Sequence, residues 1–233
     1  MKYVSYNLKN TDGQEMQTPL LKLLAEKHFE KRQGEELHSA INEEGYYLDT
    51  EDYDLYNRGG YCRIVHVTDG PDSQGKYFLE FVPRRDVKAE RIEIDGLSYD
   101  PSNVQKKLRL KAPLKSALSY KETKKSVPLQ YSDMFMKIDG YGYYFDFVAE
   151  NITAISSQND KQKLRVISLK EKPRRALGYK NFVPYGVTSS FGEAFNAFSN
   201  LAEETLHAES LGKKNRYEFL IESLGLVKAF QPE

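Results

Sequence analysis

The stretch 45–64, GYYLDTEDYDLYNRGGYCRI, constrains the fold of this chain more than any other. Tyr46, Tyr47 and Leu48 have the aromatic and apolar character of a strand, and Asp49-Thr50 ends it. A short acidic segment follows, and Gly59-Gly60 turns the chain into a second strand that carries Arg63. On that strand Tyr61, Arg63, Val65 and Val67 share one face, and Cys62, Ile64 and His66 share the other. The expectation is that Arg63 points into a cavity while the Cys62 face meets covering helices.

Elsewhere the same period of two recurs. Val4, Tyr6 and Leu8 alternate with Ser5, Asn7 and Lys9, which predicts a first strand over residues 2–9. Thr18 as N-cap, Pro19 in the first turn and Leu20, Leu21, Leu24 and His28 at helical spacing predict a helix ending by Gly34. A second helical piece is expected over 35–44. Asp69-Gly70-Pro71-Asp72 and Gly75 mark a hairpin loop before the strand KYFLEFVPRR, and residues 87–95 alternate Arg91, Glu93 and Asp95 against Ile92 and Ile94. Val104, Leu108 and Leu110 suggest a connecting helix within 101–118. Further strands are expected over 120–129, 134–138, 141–150 and 163–170. Ser190 to Glu193 reads as a capping box opening an amphipathic helix over 190–208, with Phe191, Phe195, Phe198, Ala202 and Leu206 on one stripe. A shorter helix through Tyr217, Leu220, Ile221 and Leu224 stops at Gly225. Both stripes fit helices covering a sheet, or a homodimer interface.

About eight strands with few helices between them favour an α+β fold built on a closed or nearly closed antiparallel barrel. The 39% hydrophobic and 12% aromatic content of 233 residues suffices for a core. Lys plus Arg and Asp plus Glu both number 34, so no whole-protein field draws the chain to nucleic acid or membrane. A single cysteine, Cys62, rules out an internal disulfide and fits a reducing compartment. The opening MKYVSYNLK has no signal-peptide run, and no segment approaches the ~20 apolar residues of a membrane span, so the reading is cytoplasmic with no membrane partner. The four histidines show no zinc spacing, and Walker, dinucleotide and Gly-x-Ser-x-Gly motifs are missing. Residues 106–125 hold eight Lys or Arg against Glu122 alone. That run could bind RNA, or be a solvated face balanced by the acidic run 43–54.

The stretch from Tyr46 to Arg63 resembles the best-known signature of the CYTH family, the triphosphate tunnel metalloenzymes. There a tyrosine or phenylalanine, an Asp-Thr and a small helical excursion precede a strand ending in arginines. The resemblance extends over residues 1–172. It implies a single domain over 1–233, with the barrel and its helices in 1–172 and a C-terminal helical extension in 186–233. The family's opening Glu-x-Glu-x-Lys strand falls on Ser5, Asn7 and Lys9, so the lysine is kept and both carboxylates are replaced. Its arginine pair falls on Arg63 and Val65, and its Thr-x-Lys on Glu80 and Val82. Its Arg-x-Glu-x-acid strand is intact as Arg91, Glu93 and Asp95. Its last acidic strand falls on 165–170, where Val166 and Ser168 stand in place of glutamates.

A polyphosphate site needs several cations converging on one cavity, which a barrel supplies by pointing every second side chain inward. The resemblance implies phosphate contacts from Lys9, Arg63, Arg84 or Arg85, Arg91, Lys121, Lys124, Arg165 and Lys170. It implies Glu93 and Asp95 as catalytic groups and, with Glu80, as ligands of Mg2+ or Mn2+. Asp139, Asp146 and Glu150 are further acids to consider. The expected function is binding or hydrolysis of inorganic triphosphate, a nucleoside triphosphate or thiamine triphosphate. The alternative is a non-catalytic protein that binds an anion, a nucleotide or RNA on the same fold.

Overall fold

A computed structural model of the chain describes residues 3–8, 17–31, 40–70, 73–131, 143–171 and 187–227. Among the described residues ten strands, accompanied by five α-helices, carry the fold: β1 (Tyr3–Asn7), β2 (Phe29–Lys31), β3 (Ile41–Asp49), β4 (Tyr61–Asp69), β5 (Lys76–Val82), β6 (Glu90–Ile94), β7 (Lys115–Tyr131), β8 (Tyr143–Ser156), β9 (Lys161–Glu171) and β10 (Glu209–Ser210). The helices are α1 (Gln17–Glu26), α2 (Asp54–Asn57), α3 (Ser102–Lys107), α4 (Val187–Asn200) and α5 (Arg216–Ser223). The hydrogen-bonded order is β10-β1-β9-β8-β7-β3-β4-β5-β6, with β2 beside β7. The α+β class and the mostly antiparallel sheet match expectation. The sheet is not closed among the described residues, since β10 and β6 end the order. No described helix is long and apolar enough to cross a membrane.

The chain divides into two compact units, one of Met1–His38, Lys124–Glu150 and Arg165–Gly212, the other of Ser39–Thr123, Asn151–Leu164 and Lys213–Glu233. In the first, Tyr6 and Leu8 of the opening strand, Val127, Leu129, Phe145, Phe147, Ile167 and Leu169 turn one sheet face toward Leu20 and Leu24 of α1 and toward Ala194, Phe198, Leu201 and Ala202. Both β1 and α1 thus bury the stripes their periodicity marks. Phe198 packs edge-on against Tyr6 and Phe147. The amphipathic stripe of the C-terminal region is spent within this core, as helices covering a sheet require.

In the second unit Leu48, Cys62, Ile64, Leu79, Phe81 and Ile94 pack against Leu55 of α2, Val104 of α3 and Leu108 just after it. The predicted split of β4 therefore holds: Cys62 and Ile64 face helices, and Arg63 faces away. Antiparallel pairing carries the split across the sheet, with Tyr47 opposite Arg63, Arg63 opposite Glu80 and Glu80 opposite Arg91. Gly45 is required here, because a Cβ at that position would lie 2.0 Å from the Ile64 carbonyl oxygen.

The sequence reading needs several corrections. Residues 41–44, taken as the end of a second helix, are the first part of β3 and pair with 66–69 of β4. Pairing with a long, buried neighbour outweighs the weak helical preference of Asn42, Glu43 and Glu44. The first helix ends at Glu26, within the expected bound of Gly34, and the unexpected strand Phe29–Lys31 pairs with 129–131 of β7. His28 supplies the break, with a left-handed φ of 65°. The helix opened by the supposed Ser190 capping box starts earlier, at Val187. An N-terminal box is instead found on α5, where Asn215 accepts from the Glu218 amide and Glu218 accepts from the Asn215 amide. Strand β7 starts at Lys115, so the connecting helix is confined to Ser102–Lys107. The expected strand over 134–138 lies outside the described residues.

Candidate functional site

On the face of the second unit turned away from α2 and α3, Arg63 is the centre of a buried ionic and aromatic cluster. Its Nη1 donates to Glu43 Oε2 at 3.0 Å and to the Tyr120 hydroxyl at 2.8 Å. Its Nε and Nη2 reach the two carboxylate oxygens of Glu80, each at 3.3 Å. Tyr61 donates its hydroxyl to Glu80 Oε1 at 2.5 Å. The side chains of Arg63, Glu43 and Glu80 are only 13%, 12% and 11% exposed. Burial works against the Arg63 charge, but Tyr47, Tyr120, Glu43 and Glu80 together outweigh it and hold the guanidinium well above its usual value. All its donor groups are thereby directed at protein acceptors.

Rings close over this cluster. Tyr47 stacks on Tyr217 of α5 with centroids 5.0 Å apart and lies 5.2 Å from Tyr120. Burial pushes the Tyr47 phenol up to about 12. Tyr217 donates its hydroxyl to Asp49 Oδ2 at 2.9 Å. Asp49, 1% exposed, also accepts the amides of Thr50, Leu55 and Tyr56. The Asp-Thr pair that reads as a strand stop is thus the cap of α2: Asp49 takes the amides of the turn that begins the helix, and the Thr50 hydroxyl takes that of Asp54. Burial raises the Asp49 carboxyl above its ordinary value, opposed by those amide bonds. Nearby, Arg216 lies 3.5 Å from the buried carboxylate of Glu122.

In the first unit the face opposite the core carries Ser5, Asn7, Lys124, Asp146, Glu150, Ser168 and Lys170 by strand alternation. Ser5 and Ser168 are direct cross-strand partners, and their hydroxyls are 2.8 Å apart. Asn7 opposes Val166. Lys124 Nζ lies 3.8 Å from Glu150 Oε1, and Glu150 is buried.

The residues implied by the resemblance are dispersed. Arg63 and Glu80 meet each other, as described. Arg91 is exposed on β6 with its guanidinium 3.7 Å above the Phe78 ring. Glu93 is exposed and pairs with Lys76 at 3.1 Å, and Asp95 is exposed just beyond β6. Arg84 is exposed in the connection between β5 and β6, and its neighbour Arg85 bonds to Glu218. Lys121 stands on the side of β7 opposite Tyr120 and Glu122 and binds Glu44 at 2.9 Å. Arg165 follows the parity of Ile167 and Leu169, and its Nη1 is buried without a hydrogen-bond partner among the described residues. Lys170 is half-buried, and Lys9 and Asp139 lie outside the described residues.

The described residues do not fit a resident Mg2+ or Mn2+. Hard divalent cations take several carboxylate or carbonyl oxygens. Among the described residues no three His, Cys, Asp or Glu side chains are grouped to hold a metal. At Ser5 and Ser168, two of the positions that the resemblance sets against glutamates, the side chains are neutral hydroxyls joined by one hydrogen bond.

Three cations of the basic run 106–125 pair with acids from outside it. Lys107 pairs with Glu90, Lys115 with Glu51 and Lys121 with Glu44. Two of those acids belong to the run 43–54, the balance that composition suggested. Sequence reasoning missed Glu43, Asp49, Tyr120, Glu122, Arg216 and Tyr217 as parts of the cluster. Reading 41–44 as strand would have put Glu43 on the face of Tyr47; for Arg216 and Tyr217, distant in sequence, no local signal existed.

No protein-family model and no curated protein matches this chain. Among solved structures it is similar to PH1819 from Pyrococcus horikoshii OT3, at 10% identity and a TM-score of 0.47, over 95% of this chain and 99% of that one. It is also similar to HpAC1 from Hippeastrum, a candidate adenylyl cyclase with a dominant triphosphatase activity, at 12% identity and a TM-score of 0.46, over 95% of each chain. A candidate adenylate cyclase from Vibrio parahaemolyticus matches at 10% identity and a TM-score of 0.43, over 95% of this chain and 97% of that one.

Proposed function

We propose that this chain is a CYTH-like protein that binds a compound bearing several phosphates, of the polyphosphate or nucleotide class, and does not hydrolyse it through a resident metal. The observation that carries the second half is the Ser5–Ser168 hydroxyl pair at 2.8 Å. Two neutral side chains that satisfy each other supply no negative charge to hold magnesium, so the activated water of a two-metal cleavage has no support at those positions. Binding itself rests on the resemblance of 46–63 and on Lys124 and Lys170, cations on the face of the first unit opposite its core. Arg63 is left out of the phosphate set, because each of its three nitrogens already donates to Glu43, Glu80 or Tyr120.

Calorimetric titration with tripolyphosphate in EDTA, paired with phosphate release in excess magnesium, tests both halves. Saturable binding without release above the buffer rate is expected. A Lys124→Ala/Lys170→Ala chain should bind at least about tenfold more weakly, the loss of one or two hydrogen bonds to charged groups. Magnesium-dependent release would reinstate the hydrolase, and heat-silent titration in all conditions would remove the phosphate reading altogether.

A further inference from the structure

The hydrogen-bonded order of strands ends at β6, which pairs only with β5 among the described residues. Such an edge presents a row of unpaired amides and carbonyls, and most proteins cover it or blunt it with charge. Here Glu90, Arg91, Ile92 and Glu93 are all exposed. Of three exposed large hydrophobics among the described residues, two border this edge: Ile92 in the strand and Val87 just before it, each 38% exposed.

The order of the charges makes the edge complementary to itself. In an antiparallel pairing with a two-fold axis at Ile92, Ile92 opposes Ile92 of a second copy. Arg91 then opposes Glu93 of that copy, and Glu93 opposes its Arg91. Directly opposed unlike charges support strand pairing and like charges oppose it. The side chains are already held near the sheet, Arg91 over the Phe78 ring and Glu93 against Lys76. Either phase of alternating peptide groups permits this axis, since a two-fold through an opposed residue pair relates every ladder hydrogen bond to an equivalent one. A one-residue slip would place Ile92 against a charged residue and break both ion pairs.

We propose that β6 is a self-association edge, through which two copies of this chain join as a continuous antiparallel sheet. A contact of one five-residue strand per copy falls below the ~1,000 Å² of a stable interface, so the dimer is weak and its population follows concentration. This inference does not depend on phosphate binding.

Sedimentation velocity from micromolar to near-millimolar chain, without added ligand, is the test. The mass should rise from the 26.9 kDa monomer toward twice that value. Ile92→Lys should raise the dissociation constant at least about tenfold by placing like charges across the axis. Arg91→Glu and Glu93→Arg should each do the same, while the double exchange restores the parent value. An equimolar mixture of the two single variants should form a heterodimer, which neither loss of folding nor a different interface would produce. A monomer at every concentration, self-association that neither charge variant changes, or a mixture that stays monomeric would overturn the proposal.

Discussion

Replacing Arg63 by methionine separates a structural cation from a ligand cation. The substitution keeps most of the apolar stem but removes the group that Glu43, Glu80 and Tyr120 all address. Two carboxylates, each little more than a tenth exposed, are left in a cluster that tyrosine rings close off from water. Removing one partner of a buried pair costs about 3–5 kcal/mol, and the residual exposure here favours about 3 kcal/mol. For a chain of this length that lowers the melting temperature by about 6–12 °C. A stranded carboxylate is relieved by taking up a proton, which sets the sign of the pH dependence. The deficit should be largest near neutral pH and shrink as the pH falls into the carboxylate range. A triple variant, Arg63→Met/Glu43→Gln/Glu80→Gln, should recover most of the lost stability, because it removes the charges and keeps polar groups of similar shape. Calorimetric melting at neutral and acidic pH, with tripolyphosphate titration of the same samples, reads all of this. An unchanged melting temperature with affinity reduced on the order of tenfold would refute the reasoning and make Arg63 a phosphate ligand.

Two further outcomes test the surroundings of that cluster. Tyr217→Phe removes the hydroxyl that α5 donates to Asp49 and should cost ~1.5–3 kcal/mol in denaturant unfolding, as for other hydrogen bonds to a charged acceptor; a loss under about 0.5 kcal/mol would mean that the three amides on Asp49 suffice. Glu44 titrates below the usual 4.5 because Lys121 hydrogen-bonds it, so its contribution is complete above 4.5 and lost as the pH falls through the lowered value. Glu44→Gln should therefore cost no more than ~1 kcal/mol near neutral pH, as half-exposed pairs do, and nothing in strong acid; urea midpoints that differ equally at both would exclude the ion pair as the cause.

The parts of this fold that were legible in sequence are those set by local period. The alternation of β1 and β4 decides which side of each strand meets helices, because a one-residue shift would bury the charged set. The Asp49-Thr50 break was legible as a stop for a local reason as well: a short acceptor placed before a helix turn takes the orphan amides. Residues 41–44 were misread for the opposite reason. Nothing within Asn42, Glu43 and Glu44 favours a strand, and only the edge of β4, two dozen residues on, makes them one.

The same distinction explains why Arg63 could be placed on its face but not given a role. Its acceptors lie 20 residues before it, 17 after it and 57 after it, on three other strands. Period fixes the direction of a side chain, whereas register between strands fixes what it meets. A family signature carries the first kind of information faithfully, since an Asp-Thr cap and a glycine turn can hardly be built otherwise. It does not carry the second: one glutamate on β3 and another on β5 are enough to turn an inward cation from a waiting phosphate ligand into the centre of a closed ionic core.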